Sequence, residues 1–149
     1  MIKCRCDAVK IIDFYTEFFH HFAGYLIVLF NLAIVTEKFR KLSFYENLLR
    51  RVYKRIRFLF PNAKVVFALS TAVIEEREFP EFLRYNREIE QYNQVACKVM
   101  EELGVEVNDL YSITSAFDHS LYADAVHFND EGSKVLADAV IKACLPELN

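Results

Sequence analysis

Apolar residues recur at helical spacing in four stretches of the chain, and three short apolar runs lie between them. In residues 8–22, Ala8, Ile11, Ile12, Tyr15, Phe18, Phe19 and Phe22 alternate with Asp7, Lys10, Asp13 and Glu17, which predicts an amphipathic helix ended by Gly24. The run Tyr25–Phe30 reads as a buried strand, followed by a loop over Asn31–Leu42. Ser43 with Glu46 has the form of a capping box. Behind it Tyr45, Leu48, Leu49, Val52, Ile56, Leu59 and Phe60 form one apolar stripe, so Phe44–Phe60 is expected to be a helix. Pro61-Asn62 stops it, and Lys64–Ser70 is a second buried strand. A polar loop from Thr71 to about Phe82 contains Pro80. A long helix is expected over Leu83–Leu103, with Ile89, Tyr92, Ala96, Val99, Met100 and Leu103 inward and Gly104 as its C-cap. Val105–Val107 is a third strand, and Asn108–Phe128 is irregular. Asn129 then caps a last helix that buries Val135, Leu136, Ala139, Val140 and Ala143.

Strands alternating with helices this long imply right-handed crossovers, a parallel sheet and helices on both faces. The expected fold is therefore α/β, a three-layer α/β/α sandwich formed by residues 1–149 as a single domain. At 149 residues the chain is long enough for one substantial core. Its 3 glycines fall well below the ten or so that average usage of roughly 7% would give, and no two are close. That excludes a P-loop, a dinucleotide fingerprint and a Gly-x-Ser-x-Gly elbow, and no cofactor is expected. A net charge of −3 argues against a protein that coats nucleic acid or anionic membrane. Four cysteines without a Cys-x-x-Cys pair fit reduced thiols in a cytoplasmic protein, although Cys4 and Cys6 could touch a metal. The N-terminus shows no secretion signal. The stretch Phe18–Thr36 carries no formal charge and could just span a bilayer, but His20, His21, Asn31 and Thr36 interrupt it, and no membrane segment is expected.

Ligands of open α/β sheets bind beyond the carboxyl ends of the strands. Three segments land there: Asn31–Thr36, Ser70–Val73 and Asn108–His127. The third contains Asp124-Ala-Val-His127, in which the Asp can fold back onto the imidazole Nδ1 and leave Nε2 free as a general base. Asp-x-x-His is a weak pattern, and from spacing alone the same residues read first as a loop carboxylate and a surface histidine. Asp118, His119, Asp124, His127 and Asp130 also crowd one segment, which leaves a metal site as an alternative, although none is expected. His20 and His21 suit the C-terminal dipole of the first helix. Lys38–Arg57 carries eight basic residues against one acidic, Glu46. This reads as a solvated helix face or as a basic patch for an acidic partner or nucleic acid, with its aromatic residues assigned to the core stripe.

Several blocks resemble the SGNH (GDSL-type) hydrolases. They are Tyr25-Leu-Ile-Val-Leu-Phe-Asn31, Pro61-Asn-Ala-Lys-Val-Val-Phe-Ala-Leu-Ser-Thr-Ala-Val73, Tyr92-Asn93, Gly104-Val-Glu-Val-Asn-Asp-Leu-Tyr111 and Asp124-Ala-Val-His-Phe-Asn-Asp-Glu-Gly132. The likeness covers about residues 25–143. It implies a flavodoxin-like sandwich and a Ser-His-Asp esterase acting on acyl or carbohydrate esters, with His127 as general base, Asp124 as its orienter and Asn31 as a weak oxyanion donor. The chain departs from the family at the nucleophile: it has no Gly-Asp-Ser block and no serine before Ser43. Its start corresponds to a helix past that block, so the fold is expected to be N-terminally truncated and its activity weak or absent. Ser70 and Thr71 stand where the family uses structural residues, and Ser112, Ser115 and Ser120 lack an elbow. Without the family's first strand, Tyr25–Phe30 becomes an exposed apolar edge, and self-association through it is expected. The rival expectation is a non-catalytic α/β binding or assembly module that uses that edge.

Overall fold

The computed structural model describes residues 27–30, 41–77 and 84–145. The helix expected over residues 8–22, the start of the first strand at Tyr25, the oxyanion candidate Asn31, and Cys4 and Cys6 lie outside them. In chain order the elements are β1 (Ile27–Phe30), α1 (Leu42–Leu59), β2 (Lys64–Ala68), a 3-10 turn (Glu75–Arg77), α2 (Asn86–Leu103), β3 (Glu106–Asn108), α3 (Leu110–Ser115), a second 3-10 turn (His119–Leu121) and α4 (Asp130–Cys144). Ile27–Phe30 is extended, which removes the reading of Phe18–Thr36 as one membrane-crossing helix. Among the described residues no helix is long and apolar enough to cross a membrane.

The three strands form a parallel sheet in the order β1-β2-β3, with Val28 opposite Val65 and Phe67 opposite Val107. Strand residues alternate between faces. Val65 and Phe67 therefore meet Tyr45, Leu49, Ala96, Val99 and Met100 of α1 and α2. Val66 points the other way, onto Cys144, Val140 and Ala143 of α4. The result is the expected three-layer α/β/α sandwich.

Boundaries differ where side chains compete for the backbone. The Ser43/Glu46 capping box does not form: α1 begins at Leu42, its N-cap Lys41 makes no side-chain cap, and Glu46 bonds Arg50 one turn on. Leu59 and Phe60, expected on the buried stripe, are 50% and 41% exposed. Phe44, likewise assigned to the core, is also exposed, as is Phe58. The α2 helix starts at Asn86 rather than Leu83. At its other end Gly104 takes the left-handed conformation (φ 63°), and Val105 N–H donates to Met100 C=O. That Schellman closure consumes Val105, so the third strand begins one residue later than expected. Within the stretch expected to be irregular, Asp109 caps α3 by accepting from Ser112 N–H. The α4 helix has the expected Asn129 cap, but Val135, expected inside, is 43% exposed.

Candidate active site at the carboxyl ends of the strands

The segment from Tyr122 to Phe128 is closed like a small hairpin. Its end residues form an antiparallel bridge, and Ala123 N–H donates to His127 C=O at 2.8 Å. Beneath it the rings of Phe117, Tyr122 and Phe128 pack together, with the Tyr122 and Phe128 centroids 4.6 Å apart. The Tyr122 hydroxyl lies 3.2 Å from both Ala72 C=O and Thr114 C=O, which ties this base to the loop after β2 and to α3. Gly132 completes the frame. A Cβ there would sit 2.5 Å from the Leu121 carbonyl oxygen, so only glycine lets α4 start this close to the turn. Asn129 grips both sides, accepting from Gly132 N–H and donating through Nδ2 to Ser120 C=O.

The bridged segment presents Asp124 and His127. His127 Nδ1 is 2.6 Å from Asp124 Oδ2. The other carboxylate oxygen, Oδ1, accepts from the backbone N–H of Val126 (2.8 Å) and of His127 itself (2.7 Å). Partial burial pushes the Asp124 carboxyl up. The two N–H donors and the imidazole outweigh it, and the net shift is below the usual carboxylate range. A fixed, ionised Asp on Nδ1 selects the tautomer in which that nitrogen carries the proton and Nε2 keeps its lone pair. No described residue bonds Nε2. The side chains of His127 and Asp124 are 68% and 55% exposed, so the imidazole edge is open to an incoming group.

Two of the described serines are engaged elsewhere. Ser112 Oγ donates to Asp109 Oδ2 and Ser115 Oγ to Ser112 C=O. The loop after β2 joins the site through its backbone, where Ile74 N–H donates to Ala125 C=O at 2.9 Å. The rest of that loop is held by two asparagines on one face of α2. Asn93 Oδ1 and Nδ2 bond Ser70 N–H and C=O, and Asn86 does the same to Val73. Glu75 accepts from Asn86 N–H at the start of the helix. Beside this loop opens a shallow cavity of about 360 Å³ whose polar lining includes Glu75, Glu76, Tyr111 and His119. The Tyr111 hydroxyl is pushed up to about 12 by burial and by its bond to Glu90.

Asn93 belongs to a block that carries the resemblance, but its role as a clamp, that of Asn86 and the cavity appear only in the structure. Their signal was the pair Asn86 and Asn93, two helical turns apart on an otherwise apolar face. The metal alternative does not assemble: among the described residues no group of three or more His, Cys, Asp or Glu side chains is placed to hold a metal ion.

The architecture has relatives of known structure. An acetyl xylan esterase, AlAXEase, superposes with a TM-score of 0.57 at 19% identity over 80% of this chain and 67% of its own. The lipase/acylhydrolase from Enterococcus faecalis gives 0.56 at 19% identity over 79% of this chain. An alpha/beta hydrolase from the metagenome of Lake Arreo, Spain, gives 0.57 at 18% identity over 80%. The chain spans 59% of the length of each of the latter two. At such identities the likeness concerns the fold. A comparison with curated protein sequences returned no match. A model of GDSL-like lipases and acylhydrolases matches residues 31–135, from the end of the first strand to the start of the last helix, and on that match the chain belongs to the GDSL-like lipase/acylhydrolase family.

Proposed function

We propose that this chain carries the base half of an ester-hydrolase active site, with His127 as general base and Asp124 as the residue that orients it. The observation that carries this reading is the 2.6 Å Nδ1–Oδ2 contact on a carboxylate already held by two backbone N–H groups, with Nε2 open. In acyl transfer Nε2 would take the proton of an attacking hydroxyl and return it to the departing alcohol. The Asp124 carboxylate would stabilise the imidazolium between those steps. Asn31, the next residue in the sequence after β1 and outside the described residues, is the candidate oxyanion donor. The polar cavity beside Glu75 and His119 suits the hydroxyl-bearing side of a small-molecule or carbohydrate ester. The sequence holds no Gly-Asp-Ser block, and a base without its nucleophile retains at most a small residual rate, so we propose that the chain by itself is weak or inactive.

Intact mass after fluorophosphonate treatment tests this, on the wild type and on His127→Ala. No adduct on the folded protein is the expected result. A single adduct lost in His127→Ala would place an activated serine in this chain and overturn the claim that it lacks a nucleophile.

The second reading is a non-catalytic assembly module. It is favoured by β1, which among the described residues pairs on one side only, with β2. Under it, self-association proceeds through residues 25–30, and a monodisperse monomer in light scattering at micromolar concentration would count against it.

A further inference from the structure

The C-terminal end of α1 combines two properties that soluble surfaces usually keep apart. Phe58 is 76% exposed, Leu59 50% and Phe60 41%, and they are consecutive. One to two turns back along the same exposed face stand Arg51, Lys54 and Arg55. The neighbouring cations are engaged: Arg50 bonds Glu46 and Glu102, and Arg57 bonds Tyr53 and the Ala63 carbonyl. Arg51, Lys54 and Arg55 form no ion pair among the described residues, and the Arg55 guanidinium lies 5.5 Å over the Phe58 ring.

We propose that this end of α1 docks the protein on an anionic lipid surface. Charge complementarity selects that occupant. The chain as a whole is net −3, so three cations on one helix end without an ion pair among the described residues are a local reversal of sign rather than a general basicity. Exposed apolar side chains at a helix end, flanked by cations that can snorkel to phosphates, match the headgroup boundary of a bilayer. A nucleic acid fits less well. It would need open aromatic faces to stack on, whereas one face of Phe58 carries the Arg55 guanidinium and the aliphatic Leu59 separates that ring in sequence from Phe60, which is 41% exposed. The α1 end leads directly into the start of β2, while Asp124 and His127 stand beyond the strands' carboxyl ends. A docked molecule would therefore present its His127 loop to the aqueous side.

The test is co-sedimentation of the full chain with sucrose-loaded vesicles of phosphatidylcholine alone or with about 30 mol% phosphatidylserine, at about 0.1 M and 1 M salt. The wild type is expected to partition to the anionic vesicles at low salt and to leave them at high salt. Each cation near such a surface contributes about fivefold. The variant Arg51→Glu/Lys54→Glu/Arg55→Glu should therefore lose at least on the order of 100-fold in partitioning. Phe58→Ser/Leu59→Ser should lose roughly tenfold with its thermal melt unchanged. If the triple variant does not fold, Lys54→Glu alone carries the charge arm, with an expected loss of about tenfold or more. Absence of binding by folded wild type, equal binding to neutral vesicles, or binding indifferent to both sets of substitutions would overturn the proposal. So would a change of oligomeric state on charge reversal without vesicles, which would assign the patch to a second copy of the chain.

Discussion

The two faces of the sheet are built to different standards. On one, Tyr45, Leu49, Phe67, Val99 and Met100 are all at most 2% exposed and interlock between β2, α1 and α2. On the other, the buried members of the cluster among the described residues are Val66 and Cys144, with Val140 and Ala143 only partly covered. Val135 and Ile141 of α4 are 43% and 36% exposed. The α4 helix is thus fastened at its ends rather than along its length: Gly132 abuts the Leu121 carbonyl, and Lys64 Nζ bonds the Ala143 carbonyl at 3.1 Å. The lesson is a division of labour. The α1/α2 face supplies cohesion, and the thinner face holds the loop that presents His127.

If that division is right, truncation on the dense face should have the largest effect. Leu49→Ala is expected to cost about 3 kcal/mol and to lower the thermal midpoint by about 10 °C, because a fully buried side chain leaves a cavity that its neighbours cannot fill. Gly132→Ala attacks the end-fastening of α4. With 2.5 Å between the new Cβ and a backbone oxygen the turn must shift, at about 2 kcal/mol, and the His127 ring signals in NMR should move or broaden while those of Leu49 stay in place.

Smaller still is the pH effect of Asp124. Its carboxyl is lowered in the folded state, so its share of stability is complete above the usual carboxylate range and is lost as pH falls through the lowered value. Melting curves from neutral pH into strong acid should show a modest acid-side loss in the wild type that Asp124→Asn lacks. A carboxylate this exposed keeps the effect small. Val135→Ser should change stability by no more than about 0.5 kcal/mol, since its side chain is half in water already. A loss of several kcal/mol there would mean that α4 is covered by something in solution and that the contrast between faces is false.

The sandwich was legible because long helical stripes alternate with short unbroken apolar runs, which their length and their flanking Gly24 and Pro61-Asn62 mark as buried strands. Less legible were features decided by single polar side chains. Ser43 and Glu46 have the spelling of a cap, but Glu46 gains more from Arg50, so the helix begins earlier and uncapped. The α3 helix is too short for its periodicity to show, although Asp109 three residues before Ser112 was a readable cap. The contact between Asp124 and His127 follows from their spacing once a turn is allowed for. What holds that turn does not follow, because it depends on Leu121, Phe128 and Gly132 meeting at close range. Leu59 and Phe60 are exposed against expectation for a related reason: a helical stripe tells which side is apolar, not where along the helix the covering layer ends.

The segment that follows β2 has no regular structure from Leu69 to Ile74, yet its backbone is almost fully employed. The N–H of Leu69 goes to Asn108 C=O, Ser70 to Asn93, Ala72 to Thr114 Oγ1, Val73 to Asn86 and Ile74 to Ala125 C=O. Side chains from two helices here take the place of a neighbouring strand. Seen by its exchangeable protons, this loop should behave as an extension of β2: slow to trade with solvent where an ordinary loop is fast, and released only when α2 itself lets go.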